Sequence, residues 1–366
     1  MANKLTYSKG IFHYADELPH TGSQISLGEG NTPTIPLKRL GEHIGLPNLY
    51  AKLESSNPTG SYKDRVAAMS ISLAVDAGKL GWIATSSGNA GTSLAAYANR
   101  AGLPGFLVVV PNIPREKLLP ILGLGNARVM KVSGIGDKGD AKSETSIFDT
   151  VQSAADKYGL YLGVTAHKFN DQGMRGADTI SYELDDAGFD QSVVYVPTGG
   201  GGLASAICRG FKTRNSKNRV VVAQPAGCSP IASYLQGDIN QPAITNCDTK
   251  ISGLQLPSPP DGGLAADYIR KSDGWGTTAL DDETFASQHL LSRMEGIFVE
   301  PASAISLAAV INDRKNGRLK PSDTVVLILT ATGIKDLNSV EEIVTPPNQI
   351  DANDLPKAIN SWTLDL

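Results

Sequence analysis

Lys63 stands directly after a turn segment, Ser56-Asn57-Pro58-Thr59-Gly60-Ser61-Tyr62, at the start of the amphipathic run 66–78. Pro and Gly fix the backbone in such a turn. A lysine held there can aim its amine into a cleft instead of lying along a solvated helix face. Two further segments have matching chemistry. Ile83-Ala84-Thr85 is a short apolar strand that runs into Ser86, Ser87, Gly88 and Asn89, and then into the Ala-rich helical run 92–101. Free backbone N–H groups at a helix start attract an anion, and the serine hydroxyls add donors. Val193-Val194-Tyr195-Val196 leads through Pro197 and Thr198 into Gly199, Gly200, Gly201 and Gly202, ahead of the helical run 204–212. Without Cβ atoms, such a loop can curl so that several N–H groups converge on one phosphate. Together the three segments predict an amine, an anion cradle and a hydroxyl-rich loop facing one ligand.

The elements that must position these groups read as α/β. Apolar runs at 106–110, 129–132, 193–196, 220–223 and 324–329 have the length and composition of buried strands, and helical patterns separate most of them. That alternation predicts a mainly parallel sheet, with ligands beyond the carboxyl ends of its strands. Leu256 to Gly263 is a Pro/Gly-rich connection, and the tail from Thr345 is rich in Pro, Asn and Asp and reads as irregular. Gly134-Ile135-Gly136-Asp137-Lys138-Gly139 fits the G-x-G-x-x-G pattern of a dinucleotide turn. The acidic residue such a turn requires should end a second strand, whereas Asp156 falls inside the helical run 145–158, so a surface turn is the better reading.

At these residues the chain resembles pyridoxal-phosphate enzymes of the tryptophan synthase β-subunit fold (fold type II), and within them threonine synthase. The resemblance rests on Asn57-Pro58-Thr59-Gly60-Ser61-Tyr62-Lys63-Asp64-Arg65, on Glu300-Pro301-Ala302-Ser303-Ala304, and on Thr330-Ala331-Thr332-Gly333-Ile334-Lys335-Asp336. It implies pyridoxal 5'-phosphate as cofactor, joined as an imine to Lys63, with its phosphate on Thr198 and Gly199 to Gly202. Asn89 would sit beside the ring hydroxyl, and Thr330 would face the ring nitrogen. A neutral hydroxyl at that nitrogen suits elimination and replacement better than transamination. The Ser86-Ser87-Gly88 turn would take the substrate carboxylate, and Glu300 would either shape the site or serve as a helix-start acid.

The resemblance further implies a two-domain α/β architecture of mainly parallel twisted sheets with flanking helices. Residues 1–80 and 167–366 would form a large domain, and 81–166 a small mobile one. A homodimer is the family's common state. The activity implied is conversion of O-phospho-L-homoserine and water to L-threonine and phosphate, which calls for a cation on the substrate phosphate. The family's arginine position aligns with Gly173, its glycine-loop asparagine with Gly200, and the threonine after its loop asparagine with Ala90. Arg175 and Lys117 are the nearest replacements. The alternatives are a serine/threonine dehydratase, a β-replacement synthase, or a fold retained without turnover.

Composition sets outer bounds. The chain has 366 residues and a net charge of −4, with no basic stripe that would suit nucleic acid. Cys208, Cys228 and Cys247 lack metal-ligand spacing, and an odd count suits a reducing compartment. No run approaches the 18 or so apolar residues of a membrane span, and the first ten residues have no signal-type core, so a cytoplasmic protein is expected.

Overall fold

The computed structural model describes residues 9–86, 88–111, 113, 115–133, 141–341 and 344–364. Ten strands form two sheets. The first combines β1 (Thr34–Pro36) and β2 (Leu49–Leu53) from early in the chain with β7 (Val193–Pro197), β8 (Arg219–Pro225), β9 (Trp275–Ala279) and β10 (Val325–Leu329). Its order is β1-β2-β10-β7-β8-β9. Only β1 is antiparallel to its neighbour. The second sheet is wholly parallel, in the order β5-β4-β3-β6, from β3 (Trp82–Thr85), β4 (Gly105–Val109), β5 (Ala127–Lys131) and β6 (Tyr161–Leu162).

The five apolar runs read as strands are strands, and the helices between them give the parallel order. β2 and β9 carry weaker signals, for physical reasons. In β2 the apolar run is broken by Lys52, which is buried because its ammonium pairs with Glu183 at 2.6 Å. In β9, Gly276 lies where a Cβ would come within 2.5 Å of Ala232 Cα, so close packing of helix Pro230–Gln236 replaces a side chain. Apolar residues of β2, β7 and β10 pack on helix Pro301–Lys315, and the opposite face of the sheet packs on helices Thr179–Asp186 and Gly202–Thr213. Val193, Val194, Tyr195, Val325, Val326 and Leu327 are almost wholly buried, as expected for central strands covered on both faces.

Three expectations change. The helix after the lysine turn begins at Lys63 itself, and the next begins at Asn89, so both residues stand in a first turn. The tail is irregular only to about residue 351. There the Asp351 carboxylate accepts from Asn353 N at 2.9 Å and opens a 3-10 turn that leads into helix Leu355–Leu364. Cys228 and Cys247 form a disulfide, leaving Cys208 as a buried free thiol, which goes against reading the odd count as the mark of a reducing compartment. Among the described residues no cluster of potential metal ligands occurs, and no helix is long and apolar enough to cross a membrane. Ser87 and the 134–139 glycine pattern lie outside the described residues.

Candidate active site

A cavity of about 820 Å³ lies beyond the carboxyl ends of strands from both sheets. Loops that follow β3, β4, β6, β7 and β10 all reach it, the position at which parallel α/β sheets bind ligands. Lys63, Ser86, Asn89, Gly199 to Gly202 and Thr330 line its wall.

Lys63 arrives from the turn after β2. That turn is stitched to the end of β10: Tyr62 N donates to Thr330 O at 3.0 Å, and Thr332 N donates to Gly60 O at 3.0 Å. Gly60 has φ +80°, and a Cβ there would lie 2.7 Å from Thr332 Cγ2, so the stitch requires glycine. Beneath it Asp64 accepts from Thr59 N at 2.6 Å and Thr59 Oγ1 at 2.5 Å. Arg65 is fully buried, bonded to Glu54 through Nε and NH2 and to Glu183 through NH1 and NH2. These two neighbours anchor the first turn from which Lys63, half-buried, extends to Thr165 Oγ1 at 2.8 Å.

The glycine run leaves β7 and enters helix Gly202–Thr213 with Gly201 at φ +88°. Its back is covered by the irregular stretch 237–261. Asp261 N donates to Gly200 O at 3.0 Å. A Cβ on Gly199 would lie 2.9 Å from Gly253 O, and one on Gly201 would lie 2.8 Å from Asp261 O. The loop therefore presents bare main chain and a helix N-terminus to the cavity, which suits a phosphate. Thr198 is buried, and its hydroxyl donates to Val196 O at 2.8 Å.

Ser86 Oγ accepts from Gly88 N at 3.1 Å and from Gly91 N at 3.0 Å, which shapes the start of helix Asn89–Ala101. Gly88 has φ +149°, and a Cβ on it would lie 2.5 Å from Lys117 Cδ. Asn89 gives its amide N–H groups to Glu300 at 3.2 and 3.3 Å, while its buried Oδ1 has no protein partner. Glu300 is both things the sequence left open: the N-cap residue of helix Pro301–Lys315 and a wall of the cavity. Burial pushes its carboxyl above the usual range, opposed by the Lys117 charge and the Asn89 bond. Thr330 Oγ1 lies 2.7 Å from Ser303 Oγ, so the hydroxyl at the end of β10 is set by a neutral partner.

Arg175 is not in the cavity wall. Its Nε donates to Asp178 Oδ2 at 2.7 Å and its NH2 to Glu17 O at 3.2 Å, which commits the guanidinium to the protein's own structure. Gly173 cannot stand in for it: a Cβ there would lie 2.2 Å from Ser70 Oγ and 2.4 Å from Asn170 Oδ1. Thr165 and Ser252 reach the cavity without having been singled out in the sequence, because isolated hydroxyl residues carry no pattern, whereas Ser303, the partner of Thr330, belongs to the Glu300–Ala304 motif.

A flexible amine, a bare-backbone cradle at a helix start, an orphaned amide oxygen and a neutral hydroxyl meet at one cavity. These are groups that suit a phosphorylated pyridine aldehyde. The chain matches the family model described as pyridoxal-phosphate dependent enzyme over residues 25–331, and it belongs to that family. Solved structures agree on the fold: maize serine racemase superposes with TM-score 0.71 at 20% identity over 98% of this chain and 99% of that one. A pyridoxal 5'-phosphate-dependent aspartate racemase superposes with TM-score 0.72 at 22% identity, over 93% and 98%.

Within the family the chain is threonine synthase-like. It is 32% identical to the threonine synthase of Halalkalibacterium halodurans over 331 residues, 89% of each chain. It is 31% identical to that of Methanosarcina acetivorans over 362 residues, 95% of this chain and 85% of the other. The protein is a pyridoxal-phosphate-dependent lyase of fold type II, and pyridoxal 5'-phosphate is its cofactor.

Proposed function

We propose that this enzyme is a threonine synthase, converting O-phospho-L-homoserine and water to L-threonine and inorganic phosphate. The observation that carries the reading is the near-full-length similarity to threonine synthases at 31–32% identity. Lys63 holds the cofactor covalently, Gly199 to Gly202 and the helix N-terminus behind them bind its phosphate, and Thr198 supports that loop. Asn89 and Thr330, both in the cavity wall, would hold its ring. The bound cofactor supplies an electron sink for the substrate's α-carbon. Lys63 Nζ, once freed from the cofactor by the substrate amine, would be the group placed to move protons at the substrate carbons while phosphate leaves the γ-carbon and water adds at the β-carbon. The turn at Ser86, Ser87 and Gly88 receives the α-carboxylate. Residues 1–80 and 167–366 act as the large domain, and residues 81–166 as the mobile one that closes on substrate. The two separate sheets support that division.

A second reading, dehydration of serine or threonine, is favoured by the two anchor positions: Arg175 is turned away, and a side chain at Gly173 would meet Ser70 Oγ and Asn170 Oδ1. Phosphorus and proton NMR on the cofactor-loaded protein separate the two. Threonine and phosphate formed from O-phospho-L-homoserine support the synthase. An oxo acid from serine or threonine, with phosphohomoserine left intact, supports the dehydratase.

A further inference from the structure

Two almost wholly buried polar side chains, Asp261 and His167, stand behind the glycine loop and outside the cavity wall, and the proposed reaction uses neither. Asp261 precedes helix Gly262–Lys271, the position at which an aspartate ordinarily accepts from the first turn of its own helix. It makes no such bond. Its carboxylate instead accepts from His167 N at 2.7 Å and Lys168 N at 3.0 Å, and so caps helix His167–Met174, whose own N-cap residue is Ala166. Its backbone N donates to Gly200 O at 3.0 Å. A Cβ on Gly202 would lie 3.0 Å from Asp261 Oδ2, so the fourth glycine lets the carboxylate come close. His167 completes the frame, with Nε2 3.1 Å from Gly202 O. A carbonyl oxygen only accepts, so that nitrogen carries a proton. Nδ1 lies 3.0 Å from Arg209 NH1 and 3.2 Å from Asp171 Oδ1, and Arg209 is itself fixed by Asp178 at 2.7 and 2.8 Å.

A trans peptide unit is planar, so its C=O and the N–H of the next residue point in opposite directions. Holding Gly200 O from Asp261 therefore aims the N–H of Gly201 away from Asp261. Holding Gly202 O from His167 aims the N–H of Leu203 away from His167. Gly201 and Leu203 both line the cavity, whereas Asp261 and His167 do not. We infer that Asp261 and His167 are positioning residues for the cofactor phosphate: from behind the loop they fix the two carbonyls whose opposite N–H groups face it. Neither side chain touches the cofactor. A run of four glycines loses more conformational freedom on ordering than any other sequence, and this frame orders it before the cofactor arrives.

The positioning role rests on the glycine loop's being the seat of the cofactor phosphate, and one set of measurements separates the two. Cofactor-free wild type, His167→Gln, His167→Asn, Asp261→Asn and Gly201→Ala are titrated with pyridoxal 5'-phosphate and with pyridoxal, which forms the same imine without a phosphate. Phosphorus NMR then follows the bound cofactor. A glutamine amide reaches the place of Nε2 and can still donate to Gly202 O, whereas an asparagine amide stops at the place of Nδ1. His167→Asn should weaken the phosphorylated cofactor about tenfold, and His167→Gln should stay within about threefold of wild type. Asp261→Asn, which keeps one acceptor oxygen and loses the other, should weaken it about three- to tenfold. Pyridoxal affinity should be unchanged in all three. The phosphorus resonance should move in His167→Asn and Asp261→Asn and stay in place in His167→Gln. Equal losses for both aldehydes, or no loss, would overturn the positioning role, while selective weakening by Gly201→Ala kept the loop's assignment. A Gly201→Ala variant that matches wild type in affinity and resonance would overturn the assignment and the role together.

Discussion

Lys63 Nζ donates to Thr165 Oγ1 at 2.8 Å, a bond that links the first turn of helix Lys63–Asp76 to the segment following β6. With the Tyr62 ring 4.7 Å from the ammonium as its other contact, the half-buried lysine has only neutral partners, so the amine is held in place and still available. Lys63→Ala should abolish covalent cofactor attachment, seen as loss of the visible absorbance band, and reduce turnover by about 10³-fold or more. Thermal stability of the cofactor-free protein should move little, because no buried network is broken. A variant that keeps the band would remove Lys63 from its role.

The glycine loop gives a paired test. A Cβ at Gly200 would have its nearest neighbour, Pro260 Cδ, at 3.5 Å, an ordinary contact, whereas Gly201 combines φ +88° with Asp261 O at 2.8 Å. Gly201→Ala should cost about 1–3 kcal/mol of backbone strain and lower cofactor affinity at least about tenfold. Gly200→Ala should stay within a few-fold of wild type. Equilibrium dialysis of the cofactor would show whether the order holds.

Acid stability should report on Glu183. Burial alone would raise its carboxyl pKa, but the Arg65 charge and hydrogen bonds, with those of Lys52, outweigh burial and hold it at about 2, below its ordinary 4.5. A depressed acid contributes stability that is complete above its unfolded pKa and is lost as pH falls through the folded one. Denaturant midpoints of the cofactor-free protein should therefore decline between about pH 4.5 and 2. Glu183→Gln should flatten that slope and, by leaving Arg65 and Lys52 short of a counter-charge, destabilise the fold by about 3–5 kcal/mol at neutral pH.

The bridge between Cys228 and Cys247 spans 19 positions of the chain, including helix Pro230–Gln236. Cross-linking a ring of that size restricts the unfolded chain and should contribute about 3 kcal/mol. Urea unfolding with and without a dithiol reductant should show the difference in wild type. The double variant Cys228→Ser, Cys247→Ser should show none.

What the sequence made legible follows a pattern. Lys63, Asn89, the glycine run and Thr330 were readable because each occupies a strand-to-helix junction or strand end, where turn residues and apolar runs mark position and direction together. Arg175 was misplaced because charge says nothing about where a side chain turns, and Asp178, three positions on, captures it on its own helical turn. The Lys52–Glu183 and Arg65–Glu183 pairs join residues more than 100 positions apart, so no local pattern announces them. Ser252 stands in a stretch without periodicity. Only the tertiary path of 237–261 over the glycine loop brings it opposite Lys117.

The placement of β2 beside β10 has a consequence for how the protein comes into being. The strand before Lys63 finds its inner neighbour only in residues 325–329, and the hydroxyl of Thr330 follows directly. A ribosome-bound chain that has released its first 300 residues already has its lysine turn and its glycine cradle. It still lacks the strand that inserts between them, since β10 separates β2 from β7. Nascent chains would thus present an unfilled gap in the middle of the main sheet until residues 325–329 have emerged, a stage at which long-range strand pairing leaves edges open to misassembly. Cofactor capture then waits for β10, and it marks a chain in which strands some 270 residues apart have paired.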